Sequence, residues 1–103
     1  IEAFTRSVLL LDGEGLHLRA AAALALIAGE FQSDICVRKD GRKVDAKSIV
    51  DLLSLAAEPR TEITFEVNGP DSRKAINAVA NLVLNGFRAD VCNSLQNTLA
   101  DHS

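Results

Sequence analysis

The chain has no tryptophan, tyrosine or methionine and only four phenylalanines. Aromatic clusters therefore cannot hold it together, and its core is expected to be Leu, Ile, Val and Ala packed closely between elements. The missing methionine is read as a processed or trimmed N-terminus. Cysteine is scarce: Cys36 and Cys92 lie far apart without metal-ligand spacing, so two inert thiols, no metal and no cofactor are expected. No apolar run approaches the roughly 20 residues that span a bilayer. The longest, Ala20 to Ala28, is about half that length and reads as a buried or partner-facing helix. No signal-peptide pattern is found at the start, so a cytoplasmic location is expected, without membrane insertion. The net charge is -3, with both signs scattered along the chain, and the clustered basic face that nucleic-acid binding needs is missing.

What is present suits one small domain. With 103 residues, 48% of them hydrophobic, the chain can bury a core. Phe4 to Leu11 is strand-like, and Asp12-Gly13-Glu14-Gly15 is a turn. Leu18 to Ala28 is rich in strong helix formers and stops at Gly29. Ser33 to Lys39 alternates, with Ile35 and Val37 on one face and Cys36 on the other. Asp40-Gly41 is a hairpin signal with Arg42 to Asp45 returning. Ser48 opens a short helix, with Asp51 where a capping-box acid would sit and Asp45 read as a solvated or capping charge. Thr61 to Val67 alternates again, Asn68-Gly69-Pro70 turns, and Asp71 or Ser72 caps a last helix to about Asn85, with Gly86 as its C-terminal cap. The order strand, helix, strand, strand, helix, strand, helix predicts an α+β open-faced sandwich. Its four-stranded, mainly antiparallel sheet should carry three helices on one face. The domain is expected over residues 1–88, and 89–103 is a tail, either helical or frayed, holding Cys92 and His102.

His17 stands immediately before the first helix. A residue there faces backbone N–H groups that lack intrahelical partners, and these together with the helix dipole favour negative charge. Arg19, two residues on, offers a planar fork suited to phosphate oxygens. A neutral imidazole is a competent nucleophile at cytosolic pH. Such a site can form a phosphohistidine and hold it without a metal.

The segment Gly15-Leu16-His17-Leu18-Arg19-Ala20-Ala21 resembles the Gly-Leu-His-x-Arg-Pro-Ala active-site segment of the histidine-containing phosphocarrier (HPr) family of the bacterial phosphotransferase system. Ala46-Lys47-Ser48-Ile49-Val50, with Leu53 and Leu55 beyond, is similar to the family's regulatory-serine segment, and its distance from His17 also fits. The resemblance spans roughly Thr5 to Phe87. It implies that His17 accepts a phosphoryl group through Nδ1 from Enzyme I, itself charged by phosphoenolpyruvate, with Arg19 stabilising the phosphate. The group would then pass to a permease A domain or a regulatory phosphoacceptor. An HPr serine kinase would act on Ser48.

Two departures stand out. Ala20 replaces the family's proline, which restores an N–H donor and removes rigidity near the histidine. On the first helix, Ala21, Leu24, Ala25 and Ala28 form an inward stripe, leaving Leu18, Ala22, Leu26 and Ile27 partly outside it. Leu18, Ala22 and Leu26, with Ile49, Val50 and Leu53 of the serine helix, read as a partner-docking surface. The first helix could equally be covered by the C-terminal tail. Ser48 is compatible both with a plain helix cap and with a phosphorylation site beside that surface. A carrier is one reading; the other is a regulatory binding protein whose docking is controlled by phosphorylation at His17 or Ser48. A stand-alone enzyme lacks support, because no paired carboxylates, metal cluster or phosphate loop are present. An interaction module with a vestigial histidine is the remaining rival, and retention of both His17 and Arg19 argues against it.

Overall fold

Alternation of apolar and polar residues writes the strands of the computed structural model, which describes residues 2–10 and 15–87. The elements are β1 (Glu2–Leu9), α1 (Leu18–Ala28), β2 (Asp34–Lys39), β3 (Arg42–Asp45), α2 (Ile49–Ser54), β4 (Glu62–Gly69) and α3 (Ser72–Leu84), in the expected order. The sheet runs β1-β4-β2-β3, and every pairing is antiparallel. Ile35 and Val37 of β2, Ile63, Phe65 and Val67 of β4, and Val8 of β1 point into the core. The helices cover that face with Ala75, Val79, Leu82 and Val83 of α3, Leu24 and Ala28 of α1, and Leu52 of α2. Burying each such Val, Leu, Ile or Phe contributes about 1.5–3 kcal/mol. The opposite face is polar: Ser7 Oγ and Thr64 Oγ1 lie 2.9 Å apart, and Arg38 and Lys43 both pair with Glu66. Cys36 lies among these groups, and its partial burial pushes the thiol up from its ordinary value.

Local chemistry sets the ends of the elements. Asp40 and Gly41 both take positive φ, 51° and 82°, the combination a two-residue type I′ hairpin requires. Gly86 follows α3 with φ 73°, its N–H donating to Val83 O, while the Phe87 N–H reaches back to Leu82 O at 2.9 Å. This is a Schellman ending, and it turns the Phe87 side chain into the core.

Four expectations shift. β1 ends at Leu9 rather than Leu11, because Leu10 bonds to the loop before β4 instead. Its N–H meets Thr61 O, and its carbonyl accepts from Arg60, whose φ of 66° breaks the ladder. The inward stripe of α1 turns toward Ala20: Ala20, Ala21, Leu24 and Ala28 are buried, whereas Ala25 sits half-buried at the rim. Asp51 does not reach back to Ser48 as a capping-box acid; its Oδ2 accepts from Asp45 N at 3.4 Å. Asp71 occupies the N-cap position of α3 without capping it. Its carboxylate instead accepts from Gln32 N, Ser33 N and Ser33 Oγ, tying the α1–β2 loop to the start of α3. The expected turn at 12–14, the tail at 89–103, Cys92 and His102 lie outside the described residues.

Candidate active site

The backbone before α1 is seated on the loop that follows α2. Gly15 has φ 71°, and a Cβ there would lie 2.6 Å from Ala57 O and 2.9 Å from Pro59 N. Only glycine permits both the left-handed backbone and so close an approach. The next residue locks in: Leu16 N–H donates to Ala57 O at 2.9 Å, and the Leu16 side chain is buried. His17 therefore leaves a fixed platform in an extended conformation, φ −87° and ψ −176°, and becomes the N-cap of α1.

An N-cap normally uses a short side-chain oxygen to accept an early helix N–H. Here the imidazole does so, with Nδ1 accepting from Ala20 N at 3.5 Å while the His17 carbonyl accepts from Ala21 N at 2.8 Å. The ring is half-buried, and Nδ1 is the nitrogen turned toward the helix amides. No acidic residue lies in the first turn of α1, so nothing there offsets its attraction for an anion. Arg19 is exposed, and no carboxylate among the described residues pairs with it.

Ser48 occupies the same position on α2. It is extended, φ −113° and ψ 116°, and its Oγ accepts from Asp51 N at 3.2 Å. Asp45 steadies the approach, its carbonyl accepting from Ser48 N and its Oδ1 from Lys47 N. The far end of α2 is capped from the β2–β3 hairpin, which the sequence reading missed. Arg42 donates to Ser54 O at 2.6 Å and Lys39 to Ala56 O at 3.2 Å, placing cations at the negative end of the helix. The only sequence signal was a basic residue on each side of Asp40-Gly41.

α1 and α2 pack against each other. Leu18 and Leu26 are 64% and 57% exposed on α1, with Ala22 half-buried between them at helical spacing. On α2, Val50 is 75% exposed and Ile49 and Leu53 are 38% each. All six expected docking residues thus reach the surface of the same helix pair. No group of three or more metal-ligating side chains occurs among the described residues, and no helix there is long and apolar enough to cross a membrane.

An open-faced α+β sandwich whose first helix is capped by a histidine is the architecture of a small phosphocarrier domain. The family model for the phosphotransferase-system HPr component phosphorylation site matches residues 4–85. The phosphocarrier protein HPr of Cupriavidus necator is 40% identical over 80% of this chain and 92% of its own length. The HPr-like protein Crh of Bacillus subtilis is 44% identical over 64% of this chain and 78% of its own. The crystal structure of an HPr from Thermoanaerobacter tengcongensis superposes with a TM-score of 0.80 at 32% identity, covering 84% of this chain and 98% of that one. The chain belongs to the HPr family of phosphocarrier proteins.

Proposed function

We propose that the protein carries a phosphoryl group on His17 Nδ1, taken from phosphorylated Enzyme I and passed to a permease A domain or a regulatory acceptor in the cytoplasm. The observation that carries this reading is the capping geometry: Nδ1 faces the N–H groups at the start of α1, on a backbone held by Gly15 and Leu16. An Nδ1 that accepts a hydrogen bond keeps its lone pair, so the proton of the neutral ring is on Nε2. The lone pair attacks phosphorus, and the helix amides and dipole favour the incoming charge. Arg19 is free of competing carboxylates among the described residues, and its guanidinium is suited to pair with phosphoryl oxygens. No metal is needed in this scheme. The apolar surface of Leu18, Ala22, Leu26, Ile49, Val50 and Leu53 is the docking face for both donor and acceptor.

The experiment is incubation with phosphoenolpyruvate, magnesium and Enzyme I, followed by intact mass before and after brief acid treatment. One acid-labile phosphate is expected on the wild type and none on His17→Ala. A wild type that stays unmodified by its cognate Enzyme I would refute the carrier reading. A second reading is regulation by docking, supported by Ser48 at the N-cap of α2 directly before exposed Ile49 and Val50. A serine phosphate there, added by an HPr serine kinase, would be tolerated by the helix while placing charge against the apolar face.

A further inference from the structure

Ala20 is the third residue of α1 counted from its cap, and its N–H is the donor that faces His17 Nδ1 at 3.5 Å. A proline, as in the segment this one resembles, has no N–H to offer. In this chain the atom that attacks phosphorus is therefore also the atom that caps the helix. We propose that the Ala20 amide is a positioning group of the phosphoryl site, holding the Nδ1 lone pair at rest and donating to a phosphoryl oxygen after transfer. This rests on His17 being the acceptor.

A donor facing Nδ1 selects the neutral tautomer protonated on Nε2, which is the form ready to attack. At 3.5 Å the contact is long for a hydrogen bond, so releasing it costs little. In the transfer itself, the Nδ1 lone pair forms the N–P bond as the bond from phosphorus to the nitrogen of a phosphohistidine donor breaks. That bond's electron pair leaves with the donor imidazole, and Nε2 keeps its proton throughout. The amide that faced a neutral lone pair then faces an anion, and charge-assisted hydrogen bonds are roughly twice as strong as neutral ones. The Ala20 N–H thus stabilises the phosphorylated state more than the resting one. The Ala20 methyl is fully buried in the core, away from this chemistry, so the backbone donor is the operative group.

The test compares the wild type, Ala20→Pro and Ala20→Gly at equilibrium with phosphorylated Enzyme I. Ala20→Gly keeps the N–H and controls for the lost methyl, so its phosphorylated fraction is expected to stay well above that of Ala20→Pro. Ala20→Pro is expected to lower the phosphorylated fraction relative to the donor by about three- to tenfold, a hydrogen bond to a charged acceptor less the one lost from Nδ1. Nitrogen-15 NMR of the unphosphorylated proteins should show fewer Nε2–H tautomers in Ala20→Pro, a signature that simple loss of helix stability would not produce. In the wild type alone, whatever the fold of the proline variant, the Ala20 amide proton should move downfield on phosphorylation. An unmoved amide proton with equal equilibria in all three proteins would overturn the inference and leave His17 as acceptor. A wild type that takes no phosphate would overturn the acceptor assignment and the inference with it.

Discussion

Replacing Gly15 by alanine should damage both stability and transfer, and Gly41→Ala supplies the control. Both glycines have left-handed φ, 71° and 82°, and a residue with a Cβ loses roughly 1–2 kcal/mol in that region. A Cβ at Gly41 would meet nothing within 4 Å, so the conformational term is its whole cost. A Cβ at Gly15 would press against backbone atoms Ala57 O, Glu58 C and Pro59 N at 2.6–2.9 Å, none of which can rotate away. Relief requires the two segments to part, and overpacking of this kind adds about 1–3 kcal/mol. Gly15→Ala should therefore lose about 2–5 kcal/mol against about 1–2 for Gly41→Ala. Urea unfolding at constant slope measures that difference directly. The same parting would strain the bond from Leu16 N–H to Ala57 O and displace His17, and a displacement of about 1 Å can cost on the order of 100-fold in rate. Phosphorylation by Enzyme I should slow at least tenfold for Gly15→Ala and stay unchanged for Gly41→Ala, measured under conditions where both are folded. Equal destabilisation of the two variants, or a Gly15→Ala protein phosphorylated at the wild-type rate, would refute the platform described above.

Three further outcomes are expected. Ser48→Ala removes the oxygen that accepts from Asp51 N and should cost about 1 kcal/mol in unfolding experiments, whereas Ser48→Asp keeps an acceptor there and should preserve stability. The same Ser48→Asp should weaken Enzyme I or kinase binding in calorimetry through the charge beside Ile49 and Val50; unchanged affinity would separate Ser48 from the proposed docking face. Hydrogen bonds from Ser33 Oγ and the Gln32 amide hold the Asp71 carboxyl below its ordinary value. Its contribution to stability is thus complete above the ordinary carboxylate pKa and is lost as pH falls through the lowered folded-state value. Denaturation midpoints measured between about pH 6 and about pH 2 should fall more steeply for the wild type than for Asp71→Asn, and parallel slopes would refute a stabilising role for the Asp71 bonds to Gln32 and Ser33.

The same contrast between near and far contacts explains how much was legible in the sequence. His17 and Ser48 were both found before their helices because capping is local: each side chain accepts from an amide three residues on, Ala20 or Asp51. The Asp40-Gly41 hairpin was found for the same reason, since its two positive φ values depend on those two residues alone. Asp71 stands in the same place before α3, yet its carboxylate caps nothing there, because Gln32 and Ser33 offer it two amides and a hydroxyl. Nothing within a few residues of Asp71 announces those partners. Likewise, Gly15 could be read as a turn glycine, but not as the contact point for Ala57 to Pro59, because that approach exists only once β1, β4 and α2 are assembled. The candidate nucleophile was legible through its place before the helix and the resemblance of Gly15 to Ala21 to the family segment, and its support was not. Capping places an imidazole at a helix end wherever such a sequence occurs. What fixes that imidazole in this chain is the distant loop that holds the preceding backbone, a condition met in the fold rather than in the motif, whereas a first turn without acidic residues is already written in Leu18-Arg19-Ala20.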